Sequence, residues 1–458
     1  MGDDTALPGD VEEIESFVVD WMSDNRIPGA SLAIVHGDDL VVADGFGARD
    51  LASNARATPE TRYGVASITK SFAALAVLQQ VASGRVALSD PVTQYVEFYE
   101  DLEEPPTIHE LLSHSSRMPS DGASVALISR LIGEDPMEVP LSSERDFGRY
   151  VAGSTAERAS EDRFFYYNTG YTVLGKLVAA VDGREFPRYV GEEILDPLGM
   201  DRSVVAPSEF DTLDDTMTPY REENGERVEV PFPDKGVGAA GGLVSTVEDL
   251  ARYLQFQFSP DDAILDRSLL EEARSGHISR QTYIDGTDQQ YGYGWMRRPF
   301  LGDDLIEHGG SLAVSTAYLG YLEDEHLGVA LACNDSPETH PDRVGPALLS
   351  ILKGEDPVDA TRYYSLRRKA RRLAGEYTSY RGIQTATVEP DDGTLAITFE
   401  TALETEEVAA MPESAAFDDH SYYTIGAGGT RVPVEFVETA NGMDLFYRRW
   451  RLHRELPP

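Results

Sequence analysis

The sequence is poor in cysteine and lacks long apolar runs. Cys333 is the single cysteine in 458 residues, so no disulfide can form within the chain. It lies in the apolar run LGVALACND, which predicts a buried strand residue rather than a nucleophile. No apolar run reaches the roughly 18–20 residues of a membrane-spanning helix. The amino-terminal residues show no basic segment followed by an apolar core, so we expect no signal peptide and a cytoplasmic location.

Basic residues are also scarce, since 39 Lys and Arg face 80 Asp and Glu and the net charge is -41. Such a field repels nucleic acid and anionic membranes, so neither is expected as a partner. A hydrophobic fraction of 41% argues against disorder. Only five residues are lysines, and acidic excess with arginine in place of lysine resembles proteins of salt-rich cytoplasms. We therefore expect a folded protein of a high-salt cytoplasm.

Apolar patterns predict strands at the start of the chain and near residue 325, with helices between them. An amphipathic helix is predicted over residues 13–25, and a hairpin follows in IPGASLAIVHGDDLVVADGFG. TAYLGYLEDEHLGVALACND returns to a strand pattern, and Ser245 or Thr246 should cap a helix. These elements predict an α/β (α+β) fold whose antiparallel sheet is built from both ends of this region and flanked by helices.

The composition changes near residues 354–375. A basic helix is expected over 356–371, and short alternating runs separated by turns such as DDG and ANG then continue to the chain end. We predict a large α/β domain over 1–355, a linker helix over 356–371 and a small all-β barrel over 372–458. The RRKARR run could bind an anionic partner, but the favoured interpretation is a linker helix whose positive charge complements the acidic surface of the protein.

One lysine, Lys70, stands where the apolar segment SFAALAVLQQV begins. Ser67 precedes it by three residues, which on a helix places both side chains on one face, one turn apart. A serine hydroxyl becomes a good nucleophile when a neighbouring base takes its proton, and burial can make a lysine that base. At the start of a helix, free N–H groups would also favour a developing oxyanion.

The spacing alone is weak, because Ser350 and Lys353 repeat it. Lys353 precedes Gly354, so it is expected to lie at the C-terminal end of a helix instead.

Two other patterns are rejected as sites. His109 and His114 in HELLSH are five residues apart and do not share a helix face, so no zinc site is predicted. GYTVLGKL lacks the Ser or Thr of a phosphate loop. No metal or cofactor is expected.

Two further segments supply groups for acyl-transfer chemistry. In RFFYYNTGYTVLGKLV, the phenol of Tyr166 could relay a proton and the amide of Asn168 could orient a substrate. In EHGGSLAVSTAYLGY, His308 precedes two glycines that would let the backbone approach a ligand closely. Each segment alone is compatible with core aromatics or a loop, so the order of all three carries the interpretation.

Together these segments resemble the serine β-lactamase and penicillin-binding-protein-like superfamily, above all its class C β-lactamase-related branch of esterases, D-aminopeptidases and DD-peptidases. IPGASLAIV, TIHELLSHSS and YGYGW add to the likeness. The resemblance implies that Ser67 is acylated, that Lys70 activates it and that Tyr166 is the tyrosine base. It implies an oxyanion hole from the N–H groups of Ser67 and Ser311. Its substrate-binding and oxyanion residues would be Asn168, His308, Gly309, Gly310 and Ser311. The carboxyl-terminal region resembles the lipocalin-like domain of some members.

Two departures from the family pattern bear on function. His-Gly-Gly stands where β-lactamases usually have Lys-Thr-Gly, and Arg117 replaces a common glycine in SHSSRMP. We therefore expect a serine hydrolase that cleaves an ester or amide, as a carboxylesterase or a peptidase of aminopeptidase type. The alternatives are a β-lactamase or DD-carboxypeptidase and, from another class, a non-catalytic binding protein. The acyl and leaving groups and the oligomeric state stay open.

Overall fold

A computed structural model describes residues 11–100, 102–118, 120, 122–133, 162–206, 210–233 and 238–455. The chain divides into two compact units. Unit 1 comprises the described residues of 1–282 and 288–349, and unit 2 those of 283–287 and 350–458. The two are described separately below.

Unit 1 is built on a nine-stranded antiparallel sheet. Its strands are β1 (Gly29–His36), β2 (Asp39–Asp50), β3 (Ala55–Arg56), β9 (Ile278–Thr282), β10 (Asp288–Tyr291), β11 (Met296–Phe300), β12 (Asp303–Ser311), β13 (Thr316–Leu322) and β14 (Leu327–Cys333). Their order across the sheet is β3-β2-β1-β14-β13-β12-β11-β10-β9. β1 pairs with β14 along its length, with Ala33 opposite Ala330, so the sheet is assembled from both ends of this region as predicted.

The central strands explain why the sequence runs there are apolar without alternation. Every residue of β13 and β14 is buried, so both faces of these strands are covered. Cys333 ends β14 and is buried, which confirms its prediction as a core strand residue. The β1–β2 hairpin and the β13–β14 hairpin are both confirmed.

Helices flank the sheet of unit 1. The first helix buries Ile14, Val18 and Trp21 on one face, as its spacing predicts. In the helix over Val247–Phe258 the side chain of Thr246 accepts the N–H of Asp249, so Thr246 is the cap. The helices are α1 (Val11–Asn25), α2 (Thr69–Ala82), α3 (Ile108–Leu112), α4 (Ala123–Leu131), α5 (Asn168–Asp182), α6 (Phe186–Val190), α7 (Gly238–Gly241), α8 (Val247–Phe258), α9 (Arg267–Arg274) and α10 (Pro341–Leu352).

Unit 1 also contains two small sheets that the sequence patterns do not predict. One has the order β4-β8-β5, from β4 (Tyr63–Gly64), β8 (Leu243–Ser245) and β5 (Val204–Val205). The other is the hairpin of β6 (Tyr220–Glu223) and β7 (Glu226–Glu229). Strands of two to four residues carry too little periodicity to stand out in a sequence.

Unit 2 is a closed barrel of eight antiparallel strands in chain order, which confirms the small all-β barrel. The pairing of Thr378 with His453 closes it. The helix α12 (Arg362–Leu373) follows α11 (Pro357–Ala360), and Ala370 and Leu373 join the barrel's apolar core. The strands are β15 (Gly375–Thr378), β16 (Gln384–Asp391), β17 (Thr394–Thr401), β18 (Thr405–Pro412), β19 (Ser421–Ile425), β20 (Arg431–Thr439), β21 (Gly442–Tyr447) and β22 (Trp450–Glu455).

Within the described ranges, no helix combines the length and the apolarity that crossing a bilayer would require.

Candidate active site

Ser67 lies in a separate single turn of 3₁₀ helix, Ala66–Ile68, directly before α2. The sequence pattern placed it in the first turn of the long helix, and this is a local correction: α2 begins at Thr69. Ala66 has a φ of +50°, a left-handed conformation that is costly for a residue with a side chain. The Ser67 side chain is half-buried. It is thus held on a tight turn and remains open to a ligand.

Lys70 is completely buried, with an exposed fraction of 0%. Its Nζ atom contacts the Ser67 Oγ atom at 3.1 Å and donates to the carbonyl oxygen of Ala240 at 2.6 Å. No described carboxylate forms an ion pair with it. Burial therefore lowers its pKa well below the ordinary lysine value, which favours a neutral amine whose lone pair can accept a proton from Ser67.

Tyr166 lies two residues before α5 and is half-buried. The Nζ atom of Lys70 is 4.8 Å from the centre of its ring. Burial raises the pKa of the Tyr166 phenol, and the neighbouring Ser67 hydroxyl acts in the opposite direction. The Tyr166 phenol, the Lys70 amine and the Ser67 hydroxyl therefore lie next to one another. Asn168 is the first residue of α5 and lines the same cleft as Ser67.

His308 lies near the end of β12 and is only 3% exposed. Its Nδ1 atom lies 2.6 Å from the Gly309 carbonyl oxygen and its Nε2 atom 3.2 Å from the Tyr291 hydroxyl. Because a carbonyl only accepts, Nδ1 carries the proton and Nε2 accepts from Tyr291. Burial lowers the pKa of His308 to about 3. This motif therefore presents a neutral ring at neutral pH.

The glycines of this motif allow close packing next to Ser67. A Cβ atom at Gly310 would lie 2.1 Å from the carbonyl oxygen of Val65, two residues before Ser67, so only glycine fits there. Gly309 has more room, with the nearest contact at 3.2 Å. Ser311 ends β12 opposite Thr316 and is exposed.

An open cleft brings three of the expected residues together: Ser67, Asn168 and Ser311 all line it. Its other walls are mostly apolar or small. They comprise Ala66, Ser124, Leu127, Ile128, Thr169, Thr172, Ala240, Gly241 and Leu312. The walls beside the serine hydroxyl are therefore suited to contact with an apolar group of a ligand.

The structure adds residues that the sequence patterns do not identify as site residues. Tyr291 contacts His308 from β10, and Ala240 supplies the carbonyl that Lys70 binds. The ring of His114 packs against Tyr166. No sequence spacing links these residues to Ser67, because the sheet register and helix packing bring them there.

The remaining motifs lie elsewhere. Ser350 is buried inside α10, and Lys353 follows that helix just before Gly354, whose φ is +75°. The Nδ1 atom of His109 lies 2.7 Å from the Tyr293 hydroxyl. Among the described residues, no group of three His, Cys, Asp or Glu side chains is placed to hold a metal ion.

Arg117, the departure from the family's glycine, has a φ of +60°. This is the left-handed region where glycine is favoured, which explains the family preference. Its guanidinium lies 3.5 Å from the carboxylate of Glu104, whose side chain is 79% exposed.

Comparison with known proteins agrees with this architecture. Residues 14–352 match the family model described as "Beta-lactamase", and residues 357–453 match the model described as "Pab87 octamerisation domain". The solved octameric penicillin-binding protein homologue from Pyrococcus abyssi is 34% identical, with a TM-score of 0.88 over 97% of this chain and 100% of that chain.

Two curated relatives each match part of this chain. "Protein flp" of Staphylococcus aureus strain MW2 is 25% identical over 72% of this chain, and a D-aminopeptidase of Brucella anthropi is 26% identical over 71%. The matches span 64% and 59% of those proteins, less than two thirds of their lengths. The family match covers most of the chain, and the chain belongs to the beta-lactamase family of serine hydrolases, with a carboxyl-terminal barrel domain.

Proposed function

We propose that this protein hydrolyses an amide or ester through an acyl-enzyme on Ser67. The observation that carries the proposal is the 3.1 Å contact between Ser67 Oγ and the buried Nζ of Lys70. Burial lowers the pKa of Lys70, which favours the neutral amine, and a neutral amine can take the serine proton and so activate the hydroxyl.

The reaction has two steps. In the first, the Ser67 Oγ atom attacks the carbonyl carbon while its proton passes to Lys70 or Tyr166. The N–H groups of Ser67 and Ser311 would bind the oxyanion, and the bond to the leaving group breaks as that group takes the proton. In the second step, water attacks the carbonyl carbon of the Ser67 ester and gives a proton to the same base. The bond to Oγ breaks, the base returns that proton to Oγ, and the acid is released. Neither of these two reaction steps requires a cofactor.

Peptidase or amidase action is our preferred reading, with an esterase as the alternative. The D-aminopeptidase relative supports peptidase or amidase action, whereas the apolar lining of the cleft is compatible with the acyl part of an amide or of an ester. A β-lactamase or DD-carboxypeptidase is less well supported by the geometry. His308 is held neutral, so it offers no positive charge for the carboxylate of a β-lactam.

We also propose that the barrel mediates self-association. The support is the match of residues 357–453 to an octamerisation domain and the octameric state of the Pyrococcus abyssi relative. Light scattering on a size-exclusion column, with the full chain and a chain ending at residue 355, tests this. An unchanged oligomer after truncation contradicts it.

The central test is labelling with a fluorophosphonate probe, read by mass spectrometry of the tryptic peptides. We expect an adduct on Ser67 that is absent in Ser67→Ala. The matched control is Ser350→Ala, which removes the second Ser-x-x-Lys serine and should label like wild type. Equal labelling of wild type and Ser67→Ala would contradict the proposed acyl-enzyme on Ser67. Turnover of a D-amino-acid amide, a p-nitrophenyl ester and a chromogenic cephalosporin then ranks the substrates.

A further inference from the structure

His114 holds the chain on both sides of Tyr166. It follows α3 with a φ of +59° and is 1% exposed. Its carbonyl oxygen accepts the N–H of Phe165 at 3.1 Å. Its ring Nδ1 atom accepts the N–H of Tyr167, also at 3.1 Å. One residue therefore fixes the backbone immediately before and immediately after the tyrosine.

The His114 ring also supports the Tyr166 side chain directly. The two ring centres are 4.5 Å apart. The ring of His114 lies 5.1 Å from that of Tyr171 and 4.8 Å from that of Tyr291. The imidazole is thus enclosed by three phenol rings, and a shift of His114 would move the Tyr166 ring relative to Lys70.

The hydrogen-bond pattern defines the state of this ring. A backbone N–H only donates, so Nδ1 is unprotonated and the neutral ring carries its hydrogen on Nε2. Burial lowers the pKa of His114 well below its ordinary value, which agrees with a neutral ring. The buried Nε2 atom has no hydrogen-bond partner among the described residues.

An unpartnered buried N–H costs about 1–3 kcal/mol. A phenylalanine or leucine would fill the same space without that cost, so packing alone does not explain a histidine here. What phenylalanine lacks is the Nδ1 acceptor for the Tyr167 N–H. The histidine is therefore explained by the bond that it makes to the Tyr166 segment.

We infer that His114 is a positioning residue, which holds the phenol of Tyr166 within reach of Ser67 and Lys70 by anchoring the N–H groups on both sides of it. The inference rests on the proposed Ser67 chemistry. It adds a residue that acts through Tyr166 without touching the substrate.

The test combines two substitutions at His114 with one at Tyr166. His114→Phe keeps a ring but has no acceptor, whereas the Oδ1 atom of His114→Asn can accept the Tyr167 N–H. Each is made in wild type and in Tyr166→Phe, whose ring has no hydroxyl to position. His109→Phe is the matched control, because it loses a ring-nitrogen contact in α3, the helix that His114 follows, outside the Tyr166 cluster. The rate of fluorophosphonate labelling, kcat and KM on the best substrate, and the midpoint of thermal unfolding are measured.

We expect His114→Phe to lower the labelling rate and kcat at least about tenfold with KM changed less than about threefold, and His114→Asn to recover most of the loss. In the Tyr166→Phe background, adding His114→Phe should lower the labelling rate and kcat by less than about a further twofold. The inference is wrong if His114→Phe lowers the labelling rate and kcat by the same factor in both backgrounds, or if His114→Asn recovers none of the loss. Either result leaves the proposed Ser67 chemistry unaffected. Wild type that does not label removes the proposed function and the inference with it.

Discussion

The Nζ atom of Lys70 lies 3.1 Å from the Oγ atom of Ser67, in a position with no access to solvent. Burial lowers the pKa of Lys70, so the amine is neutral above that lowered value and takes up a proton as the pH falls through it. We expect activity to decline on the acid side for this reason. Lys70→Arg, which stays charged, should lose about 10²–10⁴-fold in kcat/KM.

The matched control for Lys70→Arg is Lys353→Arg, at the second Ser-x-x-Lys position. It should keep the wild-type rate and pH profile, measured as kcat/KM between about pH 5 and 9. If both variants behave alike, Lys70 is not the activating base.

Gly310 and Gly309 give a matched pair of substitutions. A Cβ atom at residue 310 meets the Val65 carbonyl at 2.1 Å, whereas one at residue 309 meets the Asp342 side chain at 3.2 Å. Gly310→Ala must therefore push β12 away from the turn that carries Ser67, at a cost of about 1–3 kcal/mol. Gly309→Ala needs only a small adjustment.

We expect Gly310→Ala to lose Ser67 labelling and to lower the unfolding midpoint, with Gly309→Ala close to wild type in both. Urea unfolding followed by tryptophan fluorescence and the labelling rate check this. Equal effects of the two variants would contradict the close approach of β12 to Val65.

His308 makes the stability of unit 1 sensitive to acid. Its pKa is lowered to about 3 in the folded protein, against roughly 6.5 when unfolded. Between these values the unfolded chain binds the proton and the folded chain does not, so stability falls as the pH falls. The uptake of one such proton by the unfolded chain lowers the free energy of unfolding by up to about 1.4 kcal/mol for each pH unit.

His308→Gln should therefore show a shallower loss of unfolding free energy between about pH 6 and 4. His326→Gln, at an exposed turn position, is the control and should keep the wild-type slope. A slope unchanged in His308→Gln would mean that this ring is not held neutral by the fold.

Arg117 has a left-handed backbone that glycine adopts at no steric cost. Arg117→Gly should raise the free energy of unfolding by about 1 kcal/mol, because the lost ion pair with the exposed Glu104 contributes little. Arg56→Gly, in strand β3, should instead lower it. A loss of stability in Arg117→Gly would show that its side chain outweighs the backbone strain.

Salt should stabilise the whole chain. A net charge of -41 means strong self-repulsion at low ionic strength, and salt screens it. The thermal unfolding midpoint should rise from about 0.1 M to about 2 M KCl, with chloride used because sulfate also stabilises by exclusion. Equal midpoints in the two conditions would end the high-salt interpretation.

Much of the fold follows from local patterns in the sequence. The apolar runs that form β1 and β14 predict strands, and alternating runs after residue 372 predict the barrel strands. The two-to-four-residue strands of the small sheets were missed, because such short segments have no readable period.

Ser67 and Lys70 meet because three residues of spacing in helical turns fix the distance between them, and the sequence alone determines that relationship. Only the tertiary structure decides what the pair can do. The burial that lowers the pKa of Lys70, the carbonyl of Ala240 and the support of Tyr166 by His114 come from segments far apart in the chain. Spacing is set by backbone geometry, whereas burial and charge depend on every atom that packs around a group, and these are known only once the chain has folded.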